Sequence, residues 1–126
     1  KNMKPFPHCV EALKKMKLRN INLIAISGRQ IYAKKATDHL MKTHFQCLFD
    51  EVLLTNSHSL IGEEYSKEEI CKLTNTDFII DDGRFDYMDH TVHMHYTGDP
   101  TYQWCLATRG LKAKNWKEIE HFFTDV

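Results

Sequence analysis

The stretch from Thr76 to Asp86, TDFIIDDGRFD, decides the fold because a short apolar run in it stops abruptly at paired acids. Asp81 and Asp82 directly follow Phe78-Ile79-Ile80, and Asp86 comes shortly after them. In open α/β sheets, ligands bind in the loops at the carboxyl ends of buried strands. The stretch therefore predicts a buried β-strand that delivers a group of acids to one edge of a sheet.

Asp81, Asp82 and Asp86 are the candidates for a metal site in this sequence. Adjacent carboxylates raise one another's pKa unless a cation neutralises them. Mg²⁺ favours a few carboxylates, with water and substrate phosphate completing its ligands. The three acids therefore predict a Mg²⁺ site. A solvated acidic turn after a strand is the alternative that these residues leave open.

Length and composition predict a single domain over residues 1–126. The chain has 17 basic and 17 acidic residues, so no net field attracts it to nucleic acid or to a membrane. No apolar run reaches the roughly 20 residues that span a bilayer, and the polar, proline-bearing start is unlike a signal peptide. The cysteines are dispersed, which is typical of reduced cytoplasmic thiols: Cys9, Cys47, Cys71 and Cys105.

The apolar spacing predicts alternating helices and strands. Helices are expected over residues 7–18, 32–44, 66–73 and 114–123, and strands over residues 21–26, 51–54, 77–80 and 91–96. The run INLIAI is typical of a strand buried on both faces, and Ser66 and Glu69 have the spacing of a helix capping box. The order α-β-α-β-α-β-β-α predicts an α/β fold with a doubly wound parallel sheet.

Two further groups are expected at the same edge of that sheet as the acids. Ser27 and Gly28 offer a hydroxyl and open backbone amides before a helix, a corner that suits a phosphate. An ordinary serine in a strand-to-helix loop is the alternative. Lys67 lies in the first turn of its helix, where a cation opposes the helix dipole. This placement hints at a functional role, with a plain surface lysine as the alternative.

These pieces resemble a known family. AISGR (Ala25 to Arg29), SKEEICKLTNTDFIIDD (Ser66 to Asp82) and the trailing Asp86 resemble the second, third and fourth motifs of the haloacid dehalogenase-like (HAD) phosphohydrolases. PFPHCVEALKKM (residues 5–16) and NWKEIEHFF (residues 115–123) are similar to the 5'(3')-deoxyribonucleotidase branch. The resemblance implies a Rossmann-like three-layer sandwich without a sizeable cap. It also implies a phosphorylated small molecule as substrate, a nucleotide being one candidate.

The resemblance also implies roles for the candidate residues. Ser27 would hydrogen-bond the transferring phosphoryl group, helped by the amide of Gly28. Lys67 would be catalytic, neutralising phosphate charge and steadying the nucleophile. The paired acids would hold Mg²⁺ directly or through water, with Asp86 supporting their loop. In phosphoryl transfer the protein mostly positions groups and stabilises charge, which agrees with these residue types.

The family's nucleophile lies in a DxDx[TV] motif at the end of its first strand, and this sequence contains no DxD triplet. In the family that strand lies between the strands matching residues 21–26 and 77–81. Either these two strands pair directly, or a segment outside this sequence fills the position. Hydrolysis by this chain is expected to be absent or very slow. A degenerate relative that keeps the fold for binding or regulation is the alternative function, and an upstream segment that restores activity is a third.

His90, His93 and His95 raise the possibility of a zinc site, since the last two share one face of the predicted strand. Closed structural zinc sites need four ligands, and no further cysteine or histidine has a convincing spacing. The favoured interpretation is therefore that these histidines lie on a sheet face or at the surface.

Aromatic residues also admit two interpretations. Tyr102 and Trp104 could stack on a nucleobase, although packing of their loop against the sheet is the favoured interpretation. Trp116, Phe122 and Phe123 have helical spacing and are expected in the core.

Overall fold

A computed structural model describes residues 6–45, 48–56, 63–99, 101–102 and 110–125. This part of the chain contains four helices and five short strands. The helices are α1 (Cys9–Leu18), α2 (Lys34–Phe45), α3 (Lys67–Leu73) and α4 (Trp116–Thr124), and a 3₁₀ turn covers Ile31–Ala33. The strands are β1 (Ile24–Ser27), β2 (Glu51–Leu54), β3 (Phe78–Asp81), β4 (Val92–Tyr96) and β5 (Lys112–Ala113). The predicted α/β class is confirmed, and β5 is an addition to the predicted elements.

The strands form two separate parallel sheets. One consists of β1 and β2, and the other has the order β3-β4-β5. Helix α2 connects β1 to β2, as a parallel pair requires a crossover. Among the described residues β1 and β3 do not pair, so the predicted sheet is divided between them. Direct pairing, one of the two arrangements expected for these strands, is therefore absent from this part of the chain.

The core lies between α1, α4 and the second sheet. In α1 the buried residues Cys9, Ala12, Leu13 and Met16 recur at helical spacing, so one face of the helix is apolar. These side chains meet the interior of the second sheet and the buried face of α4. The central cluster consists of Cys9, Leu13, Met16, Leu23, Met94, Tyr96, Ala113 and Ile119.

Two sequence expectations about burial are wrong. Phe122 is 45% exposed, whereas Trp116 and Phe123 pack against the core. Neighbouring residues on a helix point about 100° apart, so Phe122 leaves the face that Ile119 and Phe123 share. Strand β1 is half-buried along its whole length rather than buried on both faces, because a cavity borders it on the side away from β2.

Helix α3 begins with the predicted capping box, which is confirmed. The Oγ atom of Ser66 accepts a hydrogen bond from the Glu69 amide at 3.0 Å. The Glu69 carboxylate accepts one from the Ser66 amide at 2.8 Å. This cap satisfies two amides that a helix start otherwise leaves unpaired, and it fixes the first turn in which Lys67 lies.

We expect Ser66→Ala to lower the free energy of unfolding by about 1 kcal/mol, because the cap would lose its side-chain acceptor. Chemical denaturation followed by circular dichroism measures the change. Ser66→Thr is the matched control, since threonine retains a capping hydroxyl and should stay close to wild type. Equal stability of the alanine and threonine variants would contradict the prediction.

Candidate functional site

An ion pair between α3 and β3 forms the centre of the candidate site. Lys67 Nζ donates a hydrogen bond to Asp81 Oδ2 at 2.6 Å, and both side chains are partly buried. A short hydrogen bond between two charged groups is stronger than one between neutral groups. The carboxylate also offsets the unfavourable position of Lys67 at a helix start. The structure thus brings together two residues that the sequence selected separately.

The second oxygen of Asp81 shapes the loop that follows β3. Asp81 Oδ1 accepts a hydrogen bond from the Gly83 amide at 2.9 Å, the contact of an Asx turn. A Cβ atom on Gly83 would lie 3.2 Å from that oxygen, so a larger residue would crowd it. Lys67 on one side and the turn on the other therefore fix the orientation of the Asp81 carboxylate.

Asp82 lies beside this pair in an environment that disfavours its charge. Burial raises the pKa of Asp82 above its usual value, and the neighbouring negative charge of Asp81 raises it further. A carboxylate in such a position is stabilised by a proton or by a cation. The electrostatics of Asp82 therefore agree with the predicted cation site.

Asp86 is joined to the site through its main chain. Its amide donates a hydrogen bond to Glu68 Oε2 at 2.9 Å, which ties the acidic loop to α3. The residue is exposed. Within the described ranges, no group of three or more His, Cys, Asp or Glu side chains is placed to hold a metal ion. The Mg²⁺ site of Asp81, Asp82 and Asp86 stays a prediction.

Ser27 and Gly28 lie where β1 ends. The Ser27 Oγ accepts a hydrogen bond from the Arg29 amide at 3.2 Å, and its carbonyl accepts one from the Thr55 amide at 2.8 Å. Gly28 is exposed, and the 3₁₀ turn intervenes before α2 begins. These contacts fix the shape of the strand-to-helix loop. A phosphate-binding role for the pair stays a prediction.

Two histidines of β4 donate hydrogen bonds to the acidic loop, a role that the sequence did not predict. His93 Nε2 donates to the Asp81 carbonyl at 2.9 Å, and His95 Nε2 donates to the Asp82 carbonyl at 3.1 Å. Their rings stack with centroids 4.9 Å apart. Burial, and next the neighbouring His93, lower the pKa of His95, which favours the neutral ring. The alternation of residues along β4 predicted that His93 and His95 share one face. The register of β4 against β3, which pairs Asp81 with His95, shows that this face contacts the acidic loop.

The other histidine of the zinc hypothesis lies elsewhere. His90 pairs with Asp77 at 2.8 Å, at the opposite end of β3 from the acids. The structure therefore separates His90 from the pair on β4.

The loop after β1 depends on a residue that sequence reasoning missed. Asn56 is 1% exposed; its Oδ1 accepts from the Ile31 amide at 2.9 Å and its Nδ2 donates to the Glu63 carbonyl at 3.0 Å. Its φ of 58° lies in the left-handed region, which asparagine tolerates better than most residues. The only sequence signal for this role was an asparagine shortly after a predicted strand.

Of the two aromatic residues expected to pack a loop, Tyr102 is 37% exposed and Trp104 lies outside the described residues.

No protein-family model, curated protein or solved structure matches this chain. The resemblance to the HAD-like phosphohydrolases therefore rests on the sequence motifs quoted above and stays a prediction. None of the helices in the described part of the chain is long and apolar enough to cross a membrane.

We expect Asp82→Asn to stabilise the metal-free protein at pH 7, because it removes a carboxylate whose charge is unfavourable in the folded state. The gain should be at most about 1 kcal/mol, since solvent screens a partly exposed charge. The folded-state pKa of Asp82 is raised above 3.8. Above the folded-state pKa the ionised carboxylate therefore lowers the stability of the fold. This cost disappears when the pH falls below the pKa that Asp82 has in the unfolded chain. The gain in the midpoint of thermal unfolding should accordingly shrink as the pH falls toward 4.

Asp86→Asn is the control for this measurement, since that carboxylate is exposed and its replacement should change stability little. Equal midpoints for wild type and Asp82→Asn at pH 7 would contradict the predicted electrostatic cost.

Proposed function

We propose that this chain is a HAD-like phosphohydrolase domain that binds Mg²⁺ and a phosphorylated small molecule, with nucleotides as one candidate class. A Rossmann-like three-layer arrangement is part of the proposal. The observation that carries it is the pair of Lys67 and Asp81, 2.6 Å apart at the end of a parallel strand, with Asp82 beside it. A scaffold protein has no need to place a lysine against the helix dipole and two adjacent acids against each other.

The chain's own residues would divide the work by charge. Lys67 would pair with the phosphate oxygens, and Ser27 with the Gly28 amide would hold the phosphoryl group by hydrogen bonds. Asp81 and Asp82 would hold the metal ion, which supplies positive charge against the phosphate when bound. Fixed groups of this kind stabilise the charge that develops in phosphoryl transfer.

Hydrolysis is expected to be absent or very slow, because the sequence contains no DxD triplet for the family's nucleophile. The same observation favours the second candidate function, a degenerate relative that binds ligand or regulates without catalysis. The free thiols of Cys9 and Cys71 support the proposal that the chain works in the cytoplasm. Cys47 and Cys105 lie outside the described residues.

Isothermal titration calorimetry with Mg²⁺ tests the metal site directly. We expect saturable binding in the millimolar range for wild type, and its loss in the double variant Asp81→Asn/Asp82→Asn, because Mg²⁺ requires carboxylate oxygens. The control is Asp77→Asn, which removes an acid that is 77% exposed at the other end of β3. Absence of Mg²⁺ binding to wild type, or unchanged binding in the double variant, would exclude the proposed site.

Phosphate release from a panel of nucleoside monophosphates, with Mg²⁺ or with a chelator, separates the catalytic and binding functions. We expect no turnover above background, because the nucleophile motif is absent. Turnover that depends on Mg²⁺ and disappears in Asp81→Asn/Asp82→Asn would contradict this and would show that the chain contains a nucleophile. Lys67→Ala then tests whether Lys67 is catalytic, since removal of its charge should lower turnover.

A further inference from the structure

Two histidines of β4 bond to consecutive main-chain carbonyls where β3 ends. His93 Nε2 lies 2.9 Å from the Asp81 carbonyl oxygen, and His95 Nε2 lies 3.1 Å from the Asp82 carbonyl oxygen. Alternate residues of a strand point to the same face of the sheet, so both rings lie on one side of it. Each ring therefore contacts one residue of the paired acids.

The two carbonyls belong to the peptide groups on either side of Asp82. One peptide group joins Asp81 to Asp82, and the next joins Asp82 to Gly83. Each peptide group is planar, so the main chain at Asp82 changes only by rotation between these two planes. A hydrogen bond to each carbonyl restricts both planes. It therefore restricts the direction in which the Asp82 side chain leaves the main chain.

The paired acids are thus held in two different ways. The Asp81 carboxylate accepts hydrogen bonds from Lys67 at 2.6 Å and from the Gly83 amide at 2.9 Å. Asp82 is held through its main chain, by rings of the neighbouring strand. Adjacent carboxylates repel each other, and the restrained main chain opposes the movement by which Asp82 would turn away from Asp81.

The two rings are themselves held in place by their neighbours. The rings of His93 and His95 stack with centroids 4.9 Å apart. Phe85, from the acidic loop itself, packs against His93 with centroids 4.7 Å apart and the planes at 75°. The Asp86 amide then ties the end of this loop to Glu68 on α3. The histidines therefore act as fixed donors, and the loop closes over them.

Packing alone does not explain a histidine at position 95. The side chain of His95 is buried, with 8% of the residue exposed. Burial of a polar ring costs free energy unless the ring makes hydrogen bonds. An apolar residue such as the neighbouring Met94 avoids this cost, and buried parallel strands are rich in such residues. What histidine supplies and an apolar residue cannot is the N–H donor for the Asp82 carbonyl.

The contacts also determine which ring nitrogen carries the proton. A carbonyl oxygen accepts hydrogen bonds and cannot donate one, so the Nε2 atoms of His93 and His95 are the donors. In a neutral imidazole, Nδ1 then has no proton. A protonated Nε2 has no lone pair for a metal ion, so neither Nε2 atom is a metal ligand while these bonds are kept.

We propose that His93 and His95 are positioning residues for Asp82, which they fix through the peptide groups on its two sides. With Asp82 held, the paired carboxylates keep one arrangement, and a cation that binds them does not have to order the loop first. The part of this inference that concerns metal affinity rests on the proposed Mg²⁺ site. The restraint on the main chain does not depend on that site.

The first test is the position of the ring protons in the wild-type chain. In mildly alkaline solution, where imidazole is neutral, ¹⁵N NMR distinguishes protonated from unprotonated ring nitrogens. We expect a proton on Nε2 and none on Nδ1 in both His93 and His95. A proton on Nδ1 of both rings would overturn the proposal, because neither ring could then donate to its carbonyl.

The second test compares two substitutions of His95. His95→Phe keeps a ring and removes the donor, whereas His95→Gln keeps an N–H donor. We expect solvent exchange of the Gly83 amide, which shares a peptide group with the Asp82 carbonyl, to rise roughly fivefold or more in His95→Phe. The glutamine variant should stay close to wild type. Exchange at Met94, in the middle of β4, reports unfolding of the whole chain and should change less.

Mg²⁺ affinity, measured by calorimetry, is the third test. We expect His95→Phe to weaken it roughly tenfold, since partners that orient metal ligands commonly have effects of this size. His95→Gln should restore most of the affinity. His90→Phe is the matched control, because His90 pairs with Asp77 at the opposite end of β3 and should leave affinity unchanged.

The outcomes separate this inference from the proposed function. If wild type binds no Mg²⁺, the proposed function fails, and Gly83 exchange decides the positioning role by itself. If wild type binds Mg²⁺ but His95→Phe changes neither affinity nor Gly83 exchange, the positioning role is wrong and the metal site stands. Equal losses in the phenylalanine and glutamine variants would also overturn it. If His95→Phe does not fold, His93→Phe and His93→Gln supply the same comparison at the Asp82 amide.

Discussion

The parallel pairing of β3 with β4 is the constraint on which the rest of the structure depends. Its register sets Asp81 opposite His95 and so brings the carbonyls of Asp81 and Asp82 against two histidine rings. The same pairing determines that the other edge of β3 faces the cavity. A shift by one residue would reverse every side chain of β3 between the two faces of the sheet. The contacts of the candidate site would then be lost.

The local charge balance is what would favour a cation at the proposed site. Asp81 and Asp82 place two negative charges side by side, and Lys67 pairs with the first of them. The environment of Asp82 still raises its pKa, because the charge of Lys67 opposes burial and Asp81 only as the smallest contribution. A protein that needed stability alone would gain by removing this acid. Retained electrostatic cost of this kind is typical of functional sites, where stability is exchanged for activity.

Local signals in the sequence predicted the elements well but not the contacts between them. The capping box of Ser66 and Glu69 depends on residues three apart, and the acid-terminated strand depends on an abrupt change from apolar to charged residues. The ion pair of Lys67 joins residues distant in sequence, so only the expected sheet edge suggested it. The role of His95 required the register of β4, and the exposure of Phe122 required the position of α4 on the core. No local pattern encodes the register, and helical spacing separates Phe122 from Ile119 and Phe123 without showing which face packs on the core.

Asp81 belongs both to the candidate site and to the cavity between the two sheets, because it pairs with Lys67 and lines that cavity. Any group that filled the cavity would remove water from this side of the carboxylate. Lower local polarity strengthens attraction between opposite charges and repulsion between like ones. Filling the cavity would therefore tighten the ion pair with Lys67 and raise the electrostatic cost of the second acid, Asp82, unless a cation were present.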